Sequence, residues 1–346
     1  MKILFVGRGV VSTLYGWAFT KAGHEVSFLV RPGAAGELGG EVELDLLDAR
    51  TLSRGAPVVD HFEAHCVEDA AATADFDLII LAARPEQMRS GAEQLARSGR
   101  PRLGVVFFNN FWGEPSELSN LFEPGRAIWA FPIAGGAFEG KRRLAGAIQG
   151  RIQLEAGYDA TAELRSEVAA LFASAGIEAR TPPDFRAWLW LHYAVTAAMV
   201  AEAVRFGEGA AGVIDSVWRS AEAARLAKEM MGVVYARGVD PRVEREESTL
   251  GRIPGFFAGL VIKMMASRNP ATRRMMSGGG DPRFLALLPL DVLTEARRLD
   301  VPCPRLEALG GPLSALAGKA GGRPAVNAVS QLQENLTTVT RAEIGG

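Results

Sequence analysis

In the N-terminal thirty residues the hydrophobic pattern changes from that of a strand to that of a helix and back to that of a strand. Residues 2–6 form a short, largely apolar run that predicts a buried strand. A glycine turn follows, then a helix-compatible stretch over residues 13–22 that ends at Gly23, and then a second β-branched run over residues 25–30. Strand, glycine turn, helix and strand predict a βαβ unit, the arrangement in which dinucleotide-binding folds hold a pyrophosphate at the turn.

The turn over residues 7–12 is the predicted phosphate-binding segment. Gly7 permits the tight turn out of the strand, and Gly9 lets the backbone approach a pyrophosphate. Ser12 takes the place of a third glycine, stays small enough for close helix–strand packing and adds a hydroxyl donor. A glycine turn that arises by chance is the alternative. The residues predicted to contact the cofactor here are Gly7, Arg8, Gly9, Val10, Val11 and Ser12.

The end of the second strand predicts which nicotinamide cofactor is bound. A carboxylate there binds the ribose 2′-OH of NAD, whereas an arginine accommodates the 2′-phosphate of NADP. The strand runs into Arg31, and the next carboxylate is Glu37. Arg31 offers a planar fork that matches phosphate. The sequence therefore favours NADP(H), and a solvated surface arginine is the alternative interpretation.

Two later strands end in polar residues that suit ligand contact. Residues 77–83 form the most apolar strand candidate and end at Arg84, and residues 103–108 run into Asn109. Open α/β sheets bind ligands beyond the carboxyl ends of their strands, so both side chains are predicted cofactor contacts. Asparagine is also a common turn residue, which is the alternative for Asn109.

The composition changes to almost entirely helical after residues 181–184, Thr-Pro-Pro-Asp, which predict the end of one domain and the capped start of a helix. We expect a Rossmann-type parallel-sheet NADP-binding domain over residues 1–180 and a helical substrate and dimerisation domain over residues 181–320. Residues 321–346 are expected to be a partly disordered tail. The predicted helices of the second domain cover residues 185–205, 211–237, 255–267, 284–299 and 305–317.

Composition excludes several classes of function. The chain has 346 residues, enough for two domains, and a net charge of −2, which argues against nucleic-acid binding. No apolar run reaches the length of a membrane span without interruption, and the first strand follows Met1 directly, so we expect a cytoplasmic protein. His61, His65 and Cys66 do not complete a zinc site, so no metal is expected.

The chain resembles the ketopantoate reductase family. That family reduces a 2-oxo acid with NADPH in pantothenate biosynthesis, so the resemblance implies an NADPH-binding Rossmann domain followed by a helical domain. It also places Arg84 where the family has a cofactor-contacting lysine, and Asn109 at the family asparagine. The other residues that carry the resemblance are Gly7, Arg8, Gly9, Tyr15, Gly16, Ala22, Gly23, His24, Val30 and Arg31.

The second domain departs from the family at its catalytic positions. His192 stands where the family has a lysine, and Thr196, one helical turn later on the same face, stands where it has an asparagine. Phe284 aligns roughly with the family glutamate. His192 could supply the proton that carbonyl reduction needs, or could be a buried structural histidine. Lys263 is a second candidate for the missing lysine.

These observations favour an NADPH-dependent reductase similar to 2-dehydropantoate 2-reductase, acting on a small 2-oxo acid or a related carbonyl or imine substrate. Its catalytic residues would be His192, Asn109 and Thr196. The alternatives are a reductase of specialised metabolism with a bulkier substrate, or a non-catalytic NADP(H)-binding redox sensor. A third alternative is an assembly role in which the helical domain serves mainly as the interface of a homodimer, which its apolar helices permit without requiring it.

Overall fold

The N-terminal βαβ unit forms as predicted. The structure, a computed structural model, describes residues 1–98, 101–207, 209–242, 253, 255–278 and 280–319. Strands β1 (Lys2–Val6) and β2 (Glu25–Leu29) pair in parallel, and helix α1 (Val10–Lys21) connects them. Both faces of β1 are buried: Phe5 packs into a core that contains α1, and Leu4 packs into a core on the opposite face.

The described residues form one eleven-stranded sheet, in the order β11-β10-β7-β6-β5-β1-β2-β4-β3-β9-β8. Six neighbouring strands, from β7 to β4, are parallel, and the chain order reverses at β1, as in Rossmann-type folds. The other strands are β3 (Gly40–Ala49), β4 (Ala56–Val67), β5 (Leu78–Leu81), β6 (Gly104–Phe108), β7 (Ala127–Phe131), β8 (Ala134–Glu139), β9 (Arg143–Gln149), β10 (Arg151–Leu154) and β11 (Glu178–Arg180).

The predicted fold class is confirmed, with one correction. The sheet is mixed rather than parallel throughout, because β3 with β4 and β8 with β9 form antiparallel hairpins and β10 runs antiparallel to β7. Four helices besides α1 belong to the N-terminal half of the chain: α2 (Ala35–Leu38), α3 (Met88–Arg97), α4 (Pro115–Ser119) and α5 (Ala162–Ser174).

The C-terminal half is helical, as expected, but two predicted helices are each divided. The segment over residues 211–237 breaks at Asp215 and Ser216, since the Ser216 hydroxyl caps a new helix by accepting from the Arg219 amide. The segment over residues 284–299 breaks at Ala286. The helices are α6 (Phe185–Phe206), α7 (Ala210–Ile214), α8 (Val217–Ala236), α9 (Gly255–Arg268), α10 (Pro270–Ser277), α11 (Pro282–Leu285), α12 (Leu287–Arg298) and α13 (Pro304–Gly318).

Helix α6 is the centre of the helical domain. The Asp184 side chain caps its first turn by accepting from the Ala187 amide, as predicted, and it ends at Gly207 in the left-handed conformation. By length and composition α6 could cross a membrane, but 72% of its apolar window is buried against the rest of the chain. Such burial is typical of the core helix of a soluble protein.

Helix α10 connects the two halves of the molecule. It was not predicted, and it packs on β8 and β9 of the sheet rather than on the helical domain alone. Arg274 pairs with Asp45 of β3 at 2.7 Å, and the carbonyl oxygen of Met275 lies 2.8 Å from the position that a Cβ on Gly135 would occupy. A glycine at 135 therefore permits this close approach. The predicted tail over residues 321–346 lies outside the described residues.

Candidate functional site

The turn after β1 has the geometry of a phosphate-binding site. Gly7 adopts a φ of 85°, which favours glycine, and its amide donates to the Leu29 carbonyl at 2.8 Å. Gly9 precedes α1 without a side-chain cap, so the first amides of the helix lack a capping partner. A Cβ at Gly7 or Gly9 would meet nothing within 4 Å. Open space above uncapped helix amides fits a pyrophosphate.

Two polar side chains in the same turn are buried and incompletely hydrogen-bonded. Arg8 is 8% exposed; its Nη2 donates to the Lys141 carbonyl at 2.6 Å, and its guanidinium lies 4.8 Å from the centre of the Phe138 ring. Within the part of the chain that the structure describes, its Nε and Nη1 and the Ser12 hydroxyl have no hydrogen-bond partner. Burial also lowers the pKa of Arg8. Buried donors without partners are costly, and phosphate oxygens would satisfy them.

Gly16 permits close packing of α1 on the sheet. A Cβ at Gly16 would lie 2.7 Å from the Phe28 ring, so only glycine lets the helix approach β2 this closely. The sequence interpretation gave a packing role to Ser12, four residues earlier. That serine is buried, and its hydroxyl lies beside the turn.

Arg31 follows β2 and is exposed. A carboxylate is present nearby, but it comes from the end of β4, which the sequence interpretation missed. Oε1 of Glu68 accepts a hydrogen bond from the Ala35 amide at 2.6 Å, and such backbone bonds lower the pKa of Glu68. Glu68 therefore orders the loop after Arg31. Its position could not be found from local sequence, because β4 becomes the neighbour of β2 only through the sheet order.

Arg84 turns toward the helical domain. Its guanidinium carbon lies 3.7 Å from the centre of the Phe284 ring, and its Nε lies 2.9 Å from Oε1 of Glu86. The residue at the position of the family lysine thus contacts the residue that aligns with the family glutamate. Neither Arg31 nor Arg84 lines the cavity between the domains.

Asn109 ties the carboxyl ends of β5 and β6 together. Its Nδ2 donates to the Ala83 carbonyl, and its Oδ1 accepts from the Asn110 amide at 2.7 Å. One Nδ2 hydrogen is used in this way, and an asparagine amide has a second one that can bind a ligand. The side chain of Asn110 is buried, and none of the described residues forms a hydrogen bond with its Oδ1.

A cavity of about 860 Å³ between the sheet and the helical domain brings several predicted site residues together. Val11 of the glycine turn, Asn109, His192 and Thr196 all line it. Lys263 does not line it. The remaining lining residues are Pro85, Asn110, Phe131, Pro132, Ile133, Ala134, Arg151, Gln153, Arg180, Thr181, Pro182, Pro183, Trp188, Arg242, Met275, Leu285 and Leu288.

The His192 imidazole is held between two aromatic rings. It stacks on Trp188 with ring centres 4.9 Å apart and planes 15° apart, and it meets Phe131 at 4.6 Å with planes 63° apart. Trp188 lies one turn earlier on α6, and Phe131 ends β7, so both domains fix the ring. Thr196 donates its hydroxyl to the His192 carbonyl at 2.9 Å, which leaves that hydroxyl only acceptor capacity toward a ligand.

A largely buried arginine, Arg237, fixes the loop after Asn109, another feature that the sequence interpretation missed. The guanidinium of Arg237 lies 3.4 Å from the Trp190 ring and 4.5 Å from the Trp112 ring, and its Nη1 donates to the Trp112 carbonyl at 2.8 Å. Burial lowers the pKa of Arg237 to about 10. Oε1 of Glu295 lies 3.5 Å from Nε of Arg237. These contacts of Arg237 with Trp112, Trp190 and Glu295, called the Arg237 brace below, hold the loop that follows Asn109 against the helical domain.

Comparison with known proteins agrees with this architecture. Residues 3–159 match the family model described as ketopantoate reductase PanE/ApbA. A PanE/ApbA family ketopantoate reductase from Ralstonia eutropha JMP134 is 20% identical with a TM-score of 0.66, covering 93% of this chain and 100% of that chain. Comparison with curated proteins gives no match.

Two further solved structures share the fold over most of their length. A complex of D-mandelate dehydrogenase with NADH is 13% identical with a TM-score of 0.66, covering 91% of this chain and 98% of that chain. A 2-dehydropantoate 2-reductase from Geobacter metallireducens GS-15 is 16% identical with a TM-score of 0.66, covering 91% of this chain and 99% of that chain. The resemblance seen in the sequence is confirmed over residues 3–159, where the chain matches the ketopantoate reductase family model, and the solved structures share its fold beyond that segment.

Proposed function

We propose that this chain is an NADPH-dependent reductase that converts a 2-oxo acid, or a related carbonyl or imine, into the corresponding alcohol or amine. The observation that carries this proposal is the shared cavity: a residue of the glycine turn, Val11, lines the same space as Asn109 and His192. A cofactor held at the turn and a proton donor on α6 would then face one substrate. Reduction of a carbonyl needs both at the same carbon–oxygen bond.

The residues of the turn would hold the cofactor. The uncapped amides of Val10, Val11 and Ser12 begin α1, where the helix dipole favours a pyrophosphate. Arg31 would bind the 2′-phosphate, and its exposure at the end of β2 makes its guanidinium accessible. When bound, the reduced nicotinamide supplies the hydride. This arrangement supports NADPH over NADH.

His192 would give the proton to the carbonyl oxygen. Its stacking against Trp188 and Phe131 restricts rotation of the ring, so the imidazole keeps one orientation in the wall of the cavity. The second Nδ2 hydrogen of Asn109 would orient the substrate oxygen. Thr196 would contribute only an acceptor, because its proton is used within α6.

A second candidate function is a non-catalytic NADP(H) sensor. It is favoured by Phe284, an apolar residue that aligns with the family glutamate and contacts Arg84 instead of offering a carboxylate to a substrate. In either case we infer a cytoplasmic protein that forms a homodimer through its helical domain. If ketopantoate is the substrate, the protein belongs to pantothenate biosynthesis.

The test combines turnover with binding. NADPH oxidation is followed with ketopantoate and with benzoylformate, the 2-oxo acid that corresponds to mandelate, while NADPH and NADH are titrated in parallel. Turnover of either acid that is lost in His192→Gln supports the reductase. Tight NADPH binding without turnover of any 2-oxo acid or imine supports the sensor. Absence of NADPH binding overturns both functions.

A further inference from the structure

The end of the cavity furthest from the glycine turn is formed by strands β7, β10 and β11. Phe131 of β7 lies directly opposite Gln153 of β10, and Gln153 lies beside Arg180 of β11. Residues opposite one another in neighbouring strands share one face of the sheet. Arg151, two residues before Gln153, points to the same face. This face meets His192 through Phe131.

The side chains that line the cavity carry an excess of positive charge. Three arginines, Arg151, Arg180 and Arg242, line it, and the described lining residues include no aspartate or glutamate. Nε of Arg180 lies 3.0 Å from Oε2 of Glu178, which leaves the terminal nitrogens of the guanidinium for another acceptor. Glu178 lies opposite Arg151 in the register of β10 and β11, but its carboxylate pairs with Arg180, and among the residues that the structure describes no ion pair involves Arg151. An anionic ligand would balance this group.

The cofactor phosphates are too far away to be that ligand. The strand order places β11 five strands from β1, which corresponds to roughly 24 Å at the usual strand spacing. The backbone of Arg180 is only two strands from Phe131, or roughly 10 Å. The length of the arginine side chain shortens the distance that a ligand must span. A substrate whose carbonyl lies beside His192 could therefore reach the arginines through a carbon chain of roughly four to six bonds.

We propose that the substrate carries a second anionic group, a carboxylate or a phosphate, remote from the reacting carbonyl, and that Arg151 and Arg180 bind it. The proposal rests on the proposed reductase function and narrows its substrate class to dianionic oxo compounds. Gln153, between the two arginines, adds an amide donor to the same site. The apolar wall of Trp188, Pro182 and Leu288 would pack on the connecting carbon chain.

A matched pair of substrates tests the inference. 2-Oxohexanoate and 2-oxoadipate have the same chain length and differ in the remote carboxylate. With NADPH, kcat/KM is expected to be about tenfold higher for 2-oxoadipate, mainly through KM, as for a charge-assisted bidentate contact. Arg151→Gln and Arg180→Gln should remove the preference. Arg97→Gln, on α3 and outside the cavity, should keep it. Equal kcat/KM for the two acids in the wild-type protein overturns the inference.

A binding experiment separates this inference from the reductase function. Adipate and 4-phosphonobutanoate are titrated against the NADPH complex by quenching of tryptophan fluorescence, since Trp188 lines the cavity. Saturable binding that weakens in Arg151→Gln and Arg180→Gln supports the anion site even if no oxo acid is reduced. The tighter of the two probes distinguishes a carboxylate site from a phosphate site. Turnover of 2-oxohexanoate with no binding of either probe rejects the anion site and retains the reductase.

Discussion

The guanidinium of Arg84 lies 3.7 Å from the centre of the Phe284 ring, so the end of β5 contacts helix α11 across the mouth of the cleft. Oε1 of Glu86 lies 2.9 Å from Nε of Arg84. A cation over an aromatic face contributes about 0.5–1 kcal/mol at an exposed site. Arg84 is therefore fixed by a residue of each half of the molecule.

Replacing Phe284 with leucine should weaken NADPH binding. The leucine keeps an apolar contact but removes the ring that orients Arg84, so we expect KM for NADPH to rise about three- to fivefold with a smaller change in kcat. In an Arg84→Gln background the same replacement should have no further effect. An additive loss in the double variant would show that the two residues act independently.

Replacing His192 with glutamine should remove the proton donor without disturbing the cofactor site. We expect kcat to fall by about 100-fold or more, the usual contribution of a general acid. NADPH affinity by fluorescence titration should stay within about twofold, since the glycine turn is unchanged. His61→Gln, an exposed histidine of β4, is the control and should keep full activity. Retained turnover in His192→Gln would exclude the residue from the reaction.

Replacing Arg31 with aspartate should change the choice of cofactor. A carboxylate at the end of β2 repels a 2′-phosphate and can accept from a ribose hydroxyl. We expect NADPH affinity to fall about tenfold or more relative to NADH, because one charge-assisted contact becomes repulsive. Titration of both cofactors measures the ratio, with Arg97→Asp as the control. Equal weakening of the two cofactors would contradict the assignment of Arg31.

Glu202 carries a buried carboxyl group. Its side chain is fully buried, neither carboxyl oxygen has a hydrogen-bond partner among the residues that the structure describes, and Nη1 of Arg205 lies 3.7 Å from Oε2. Burial raises the pKa of this carboxyl. A carboxyl whose pKa is raised by folding stabilises the protein at low pH and loses that contribution as the pH rises through the folded-state pKa.

Replacing Glu202 with methionine should therefore stabilise the protein at neutral pH. We expect the free energy of unfolding to increase by about 1 kcal/mol near pH 7.5, from urea titration, and the gain to shrink near about pH 3, where the carboxyl is protonated in both the folded and the unfolded state. Glu222→Met, a half-buried glutamate paired with Arg225, should give no such gain. An equal gain at both pH values would assign the effect to packing.

Local sequence was sufficient for the βαβ unit because glycines and apolar periods act over a few neighbouring residues. It also predicted the cap at Asp184. The mixed sheet depends on which strands pair, and the division of α8 from α7 depends on which residue caps a helix. Local sequence permits several strand pairings and several capping positions. Two site features were missed: Glu68 beside the loop after β2, and Arg151 and Arg180 on one face of β10 and β11. Both join residues whose strands become neighbours only through the sheet order.

The Arg237 brace, in which the guanidinium contacts the rings of Trp112 and Trp190, affects how the two domains can move. It joins the loop after β6 to the helical domain by a desolvated cation, whereas Arg84 and Phe284 meet at the edge of the cleft. Separation at the brace would expose a buried charge and two indole rings, and separation at the edge would not. Domain rotation that admits or releases ligands should therefore pivot near Trp112, with the largest displacement at Phe284.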